Sequence, residues 1–247
     1  MTKLTVILAI LASMLLVTSC KKELDPQIPV GAFFKITAQG KLQNNLEYSN
    51  GQVSRILAYS NCETPYSIVE YGYTRDQITS IRSGTRGILS SWSGAMCDPD
   101  LPFDFQTYTL KLNNQNRYSK VTSENMIATF SYAGLKAAIN VTDNAGKSGR
   151  RIYLLFDSNG NIIEQRNSET DTLGLVRYEY DSHPNPMRGL NSYGLPNPFA
   201  CPNNVVRSLD SRGQIQWDRK FTYNDAGWPV TCNEGNGIEY QYHYRDN

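Results

Sequence analysis

The 247-residue chain is poor in the residues that carry most hydrolytic and metal chemistry. It has two histidines, His183 between Ser182 and Pro184 and His243 between Tyr242 and Tyr244, and neither stands at a ligand-like spacing from a cysteine. No Cys-x-x-Cys occurs, so a zinc site has no support and no metal is expected. No Gly-x-Ser-x-Gly occurs either, which removes the nucleophile elbow of the α/β hydrolases. Charge of either sign is not in excess: 24 Lys and Arg face 23 Asp and Glu, for a net charge of +1. Without a basic surplus or a run of like charge, no nucleic-acid partner is expected. Past residue 20 there is no second long apolar run and no clear helical period. Residues 134–143 (GLKAAINVTD) are the best candidate for one helical turn, and they read equally well as a strand. No cofactor is expected.

What is present begins at the N-terminus. Lys3 precedes an apolar run over residues 4–17, which ends in Thr18, Ser19 and Cys20. The run is too short to span a bilayer comfortably as a helix, and the pattern is that of a cleaved export signal. The ending Leu16-Val17-Thr18-Ser19-Cys20, followed by Lys21-Lys22, resembles the lipobox of bacterial lipoproteins. That resemblance implies a signal peptide over residues 1–19 and acylation of Cys20 as the first mature residue. The membrane is then a partner through lipid, held firmly once several acyl chains are attached. Residues 20–30 are polar after the cysteine, carry Pro26 and Pro29, and read as a tether. Residues 31–247 read as one domain. Lys21, Lys22 and Glu23 are loosely similar to the charged export signals of some Bacteroidota surface lipoproteins. An outer-membrane location follows from the resemblance, with the periplasmic and cell-surface faces both open.

Four further cysteines remain: Cys62, Cys97, Cys201 and Cys232. An even number in an oxidising compartment suggests two disulfides. Cys62–Cys97 with Cys201–Cys232 is the favoured pairing, because each closes a modest loop in its own half; free buried thiols are the alternative.

Most of the chain past residue 30 alternates apolar and polar residues, the mark of half-buried strands. Leu46-Glu47-Tyr48 leads through Ser49-Asn50-Gly51 into Val53-Ser54-Arg55-Ile56. Phe156 leads through Asp157-Ser158-Asn159-Gly160 into Ile162-Ile163, and Tyr223 through Asn224-Asp225-Ala226-Gly227 into Trp228-Pro229-Val230. Asp210 to Gly213 makes a fourth such turn. Each predicts a hairpin, with Asp or Asn opening the turn and glycine supplying the positive φ. The units repeat: Tyr132, Phe156 and Tyr180 are 24 residues apart, and Tyr48 and Tyr73 are 25 apart. Such a period marks an array whose units bury their faces on one another. Tyr178-Glu179-Tyr180-Asp181, Phe156-Asp157 with Gly160, and Tyr223-Asn224 with Gly227 resemble the YD repeat of RHS-type proteins. The segment YEYDSHPNPM is similar to part of Bacteroidota lipoproteins of unknown function built from such repeats. Residues 82–118 show little of the pattern, and after Asp181 the turn glycine is missing. The expected fold is mainly β, antiparallel hairpin repeats forming a curled sheet or partial barrel.

Three carboxylates, Asp98, Asp100 and Asp104, could ligate calcium, but two prolines stiffen that loop and no EF-hand glycine is present; an ordinary polar loop beside Cys97 explains them. The sixteen tyrosines are the compositional outlier. Pairs at alternate positions, Tyr71/Tyr73, Tyr178/Tyr180 and Tyr240/Tyr242/Tyr244, put rings on one face, either for cross-strand packing or as a platform for sugars. Trp92, among small polar neighbours, is the best single candidate for ligand binding, whereas Trp217 and Trp228 lie in strand-like stretches. The expected role is binding or structural at the cell envelope, without catalysis, with a surface glycan or envelope protein as partner. A glycan-processing hydrolase is the alternative.

Overall fold

The structure is a computed structural model and describes residues 29–59, 62–86, 97–170, 172, 174–235 and 237–246. Cys20, the signal and most of the tether, together with Trp92, lie outside these residues.

Among the described residues the alternating segments form seventeen strands. The first six are β1 (Phe33–Ala38), β2 (Lys41–Ser49), β3 (Gln52–Ala58), β4 (Ser67–Thr74), β5 (Gln77–Arg86) and β6 (Phe103–Leu112). Next come β7 (Tyr118–Thr122), β8 (Ile127–Ala133), β9 (Lys136–Thr142), β10 (Ser148–Phe156), β11 (Ile162–Arg166) and β12 (Val176–Pro184). The last five are β13 (Asn203–Leu209), β14 (Ile215–Asp218), β15 (Lys220–Tyr223), β16 (Pro229–Asn233) and β17 (Glu239–Tyr244). Except for β14 and β15, each pairs antiparallel with its chain neighbour, and β17 returns to β1, so the sheet is a nearly closed barrel. The one seam lies between β14 and β15, two halves of a strand broken at Arg219. The first half is laddered to β13 and the second to β16. Arg219 bridges the gap, its guanidinium over Phe199 and Trp217 and ion-paired with Glu234. Residues 134–143 take the strand form as β9, because Ala137 and Ile139 alternate inward with neighbours on β8 and β10.

All four hairpins expected from the sequence form. Asn50 and Gly51 both have positive φ (53° and 77°), the two-residue turn that matches strand twist. The longer turns share one construction: the Oδ1 of Asp157, Asp210 and Asn224 accepts backbone N–H groups two and four residues on, and a glycine follows at positive φ. Asn113 builds the same turn with Asn116 (φ 58°) where the others have glycine, which is why the sequence pattern faded there.

Tyrosine ties each unit to the one before it. Tyr48 donates to the carbonyl of Phe33, Tyr73 to Val53, Tyr180 to Ile162 and Tyr244 to Pro229, at 2.5–2.8 Å. Each acceptor lies two residues past a positive-φ glycine: Gly31, Gly51, Gly160 and Gly227. The repeated tyrosines therefore point into the barrel, where they pack on buried Leu46, Ile56, Val69, Ile81 and Ile139. Burial pushes the Tyr48 phenol up to about 12 and raises those of Tyr180 and Tyr244 further.

The outer face carries the charge. Glu47, Arg55, Glu70 and Arg82 stand opposite one another across β2 to β5, with N···O distances of 2.7–3.2 Å. Burial raises the Glu70 carboxyl, but Arg82 and Arg55 outweigh it and hold it below its ordinary value. Glu164 with Arg166 and Arg177, and Glu179 with Arg207, extend the pattern to β11–β13.

After Asp181 there is no turn. β12 continues to Pro184, and residues 185–202 then fold into the barrel as a plug before β13 begins. Asn185 holds the plug closed by donating to the carbonyls of Phe199 and Cys201, and Tyr71 donates to Asn191 O at 3.1 Å. Gly194 packs so tightly that a Cβ there would lie 2.9 Å from Val121 Cγ1.

Cys62 and Cys97 are joined, as expected. Cys201 and Cys232 are not: both are free and buried, which corrects the expected second disulfide. The plug carries Cys201 under β11, where its sulfur takes the Ile162 N–H at 3.4 Å, while Cys232 sits on β16 opposite Phe221 and Tyr240. Proximity in sequence does not bring them together. Burial pushes the Cys232 thiol up to about 11 and raises that of Cys201 as well.

Candidate functional site

Strand order gives the barrel two unlike ends. The Cys62–Cys97 bridge marks one. The other carries the turns at residues 50–51, 75–76, 113–116, 134–135, 157–160 and 224–227. The chain also enters there, where Gly31 N and Arg245 N bond to the carbonyls of Arg245 and Ala32.

A cleft of about 730 Å³ opens at this turn end, within the range of small-molecule sites. Its wall comes from four successive hairpins: Tyr73 and Asp76, then Asn116, Arg117 and Tyr118, then Tyr132, then Phe156 to Gly160. The plug supplies the floor through Arg188, Asn191 and Asn197. The hairpins fix the wall by the same turn chemistry that closes the barrel, and the buried asparagines fix the floor.

The electrostatics of the cleft are uneven. It holds two carboxylates and two guanidiniums. Asp157 is committed to its own turn, accepting from Asn159 N, Asn161 N and Asn161 Nδ2 at 2.8–2.9 Å. Asp76 accepts from Gln52 at 3.2 Å. Arg117 donates to the Gly134 carbonyl at 3.3 Å and lies 5.2 Å from the Tyr132 ring centre, with no carboxylate opposite. Arg188 is exposed at the plug surface. Burial pushes the Tyr132 phenol up to about 12 against the pull of Arg117, and it raises Tyr118 against a hydrogen bond with Asn191. Both phenols are therefore neutral near pH 7. The arrangement offers rings, amide groups and charges of both signs to a ligand.

The residues singled out from the sequence lie elsewhere. Trp217 stacks on Phe199 at 5.6 Å, and Trp228 lies 6.4 Å from Tyr244. His183 stacks on Tyr223 at 3.7 Å, and Tyr223 donates to Asp181. His243 faces outward on β17, bonded to Thr37 at 2.8 Å. Asp98 folds back on the N–H of Asp100. Among the described residues no cluster of three His, Cys, Asp or Glu is placed to hold a metal ion. The alternating tyrosines pack inward, with Tyr242 and Tyr244 against Phe33. Arg117 and Arg188 were missed because the Asn116 turn lacks its glycine and the plug has no repeat signature. Asn113, three residues before Asn116, was the available signal.

No protein-family model matches the chain, and no curated protein sequence matches it. Solved structures that resemble it include a porin-like protein from Bacteroides uniformis, 14% identical, with 89% of this chain and 99% of that one covered and a TM-score of 0.41. A second is the TcdB2–TccC3–Cdc42 complex, 11% identical, covering 81% of this chain but 10% of that one, with a TM-score of 0.25. Both scores lie below the level at which a shared fold is established. The faces of this barrel are the reverse of those in a membrane-spanning barrel, which is apolar outside and polar within. No helix among the described residues is long and apolar enough to cross a membrane, which says nothing of crossing by strands.

Proposed function

We propose that the chain is an outer-membrane lipoprotein: a degenerate YD-type hairpin barrel that stands in water, is held to the membrane through acylated Cys20, and binds an envelope partner at its turn end without catalysis. The observation that carries this reading is the distribution of charge. Arg or Lys on the lipid-facing side of a barrel costs about 2–4 kcal/mol each at the bilayer midplane, and the outer faces of β3, β5, β11, β12 and β13 present Arg55, Arg82, Arg166, Arg177 and Arg207. The plug and the inward tyrosines leave the barrel without the polar lumen of a pore. Attachment then falls to the N-terminus. The nine residues from Lys21 to Pro29 extend about 30 Å at most and join the barrel at the turn end, so the cleft opens on the side facing the anchoring membrane. A saccharide or envelope protein near the membrane surface is the partner in reach.

The test is fractionation of wild type and Cys20→Ser with mass spectrometry of the mature N-terminus. Wild type should begin at an acylated Cys20, and the variant should be an unlipidated precursor whose barrel is released at alkaline pH once its signal is removed. An unmodified N-terminus elsewhere in wild type sinks the anchor. A variant barrel that resists alkaline extraction after its signal is removed sinks the water-exposed reading.

A further inference from the structure

We infer that the barrel holds a second, internal site, which takes a small neutral aromatic molecule of the phenol class and admits it through the seam between β14 and β15. A cavity of about 290 Å³ lies between the plug and a wall made by β1, β2, β13, β15 and β17. It shares no lining residue with the turn-end cleft, so it stands apart from the binding role proposed above. It is larger than a packing void: an apolar cavity of about 150 Å³ already stays dry and takes up benzene. The lining sorts the ligands. Ile36, Phe199, Val205, Phe221, Tyr240 and Tyr242 make it mostly apolar and aromatic. Its two charges, Arg219 and Glu234, are ion-paired with each other. A charged ligand would have to break that pair or stay unpaired, and both are costly away from water. Most of the neutral polar groups are engaged as well. Asn185 donates to the Phe199 and Cys201 carbonyls, Asn204 donates to Asp181, Tyr240 bonds Glu234 and Tyr242 bonds Cys232. Asn44 remains. It alternates inward with Leu46 and Tyr48 on β2, and among the described residues its amide has no hydrogen-bond partner. One ring with one hydroxyl matches that inventory, whereas a sugar would leave most of its hydroxyls unpaired. The entrance follows from the ladders. β1, β2, β13 and β17 are each hydrogen-bonded to a strand on both sides. The ladder breaks at Arg219, where Arg219, Phe221 and Glu234 line the cavity, so the Arg219–Glu234 pair is what must swing aside.

The experiment is ligand-observed NMR titration of the full chain in detergent with p-cresol, toluene, benzoate and methyl glucoside. Val205→Trp and Met187→Trp, which fill the cavity, are run in the same detergent to subtract partition into micelles. p-Cresol should bind wild type and neither filled variant. Benzoate and methyl glucoside should bind at least about tenfold more weakly. Asn44→Leu should lower p-cresol affinity about tenfold and leave toluene binding unchanged. Replacing Arg219 and Glu234 together by glutamine leaves no unpaired charge and should speed p-cresol exchange severalfold. Equal uptake by wild type and a folded filled variant, benzoate or the glucoside binding as tightly as p-cresol, or no loss in Asn44→Leu overturns the phenol assignment. Exchange no faster in the double variant overturns the entrance. Should neither filled variant fold, the difference between p-cresol and toluene in Asn44→Leu decides alone. None of these outcomes bears on acylation of Cys20 or on the turn-end cleft.

Discussion

Replacing Tyr180 by phenylalanine isolates the contact that joins one hairpin unit to the next. The ring still fills its place in the barrel, and only the hydroxyl is lost. That hydroxyl lies 2.8 Å from the Ile162 carbonyl, in a part of the core where Ile162 is 1% exposed. A net hydrogen bond contributes about 0.5–1.5 kcal/mol, while a buried acceptor left without its donor costs about 1–3 kcal/mol. Tyr180→Phe should therefore destabilise by about 1–2 kcal/mol. In a domain of this size that lowers the melting temperature by roughly 3–6 °C. Tyr48→Phe, Tyr73→Phe and Tyr244→Phe remove the same bond from other units and should cost similar amounts. Tyr153→Phe is the control. Its ring lies on the outer face, and its hydroxyl takes only a 3.4 Å contact from Arg151. It should change stability by less than about 0.5 kcal/mol. Urea unfolding of the five variants and wild type, followed by circular dichroism, measures this. If Tyr180→Phe matches wild type, or if Tyr153→Phe costs as much, the tyrosine–carbonyl bond is not what couples the units.

Gly160→Val should cost about 1–2 kcal/mol from its φ of 89°, since the nearest atom to an added Cβ is Pro202 Cγ at 3.8 Å and no clash contributes; chemical denaturation checks it. Reducing Cys62–Cys97, which closes a separation of 35 residues, should remove about 3–4 kcal/mol in the chain-entropy account. Non-reducing peptide mapping should find that bridge alone, with Cys201 and Cys232 alkylating only after unfolding. Burial, and secondarily Lys35, lowers the pKa of His243, so the fold favours the neutral ring. Its contribution is complete above about pH 6.5 and is lost as pH falls through the lowered folded value. The drop in melting temperature between pH 7.5 and pH 5 should then be smaller in His243→Gln than in wild type.

Legibility in the sequence followed the reach of the interactions. Turns at Asn50-Gly51, Asp157, Asp210 and Asn224 were readable because one side chain and one glycine settle them locally. The strand form of residues 136–142 was ambiguous because Ala137 and Ala138 suit either period, and only pairing with β8 and β10 decides. The plug was not readable at all. Its structure depends on Asn185 and Asn191 meeting carbonyls and hydroxyls far along the chain, and no local pattern encodes that. The Cys201–Cys232 pairing failed for the same reason: loop length was short, but the plug draws one partner toward β11. The cleft inherits this limit, since its floor is plug.

The abundance of tyrosine has a different meaning once the lumen is seen. A ring of this many strands is too wide for aliphatic side chains to fill, and comparable membrane barrels leave a channel. Tyrosine is long enough to reach inward, and its hydroxyl ends on a carbonyl that phenylalanine would leave unpaired. The plug fills what the rings do not reach, with Tyr193 edge-on to Tyr108 at 6.4 Å between ring centres. Tyr48, Tyr73, Tyr180 and Tyr244 are therefore explained by the architecture alone, and their number is no evidence of a sugar platform. What architecture does not require is the cleft at one mouth of the barrel, where Arg117, Arg188, Asp76 and Asp157 gather beside Tyr118 and Tyr132. Recognition is better sought in that cleft than in the tyrosine count that first suggested it.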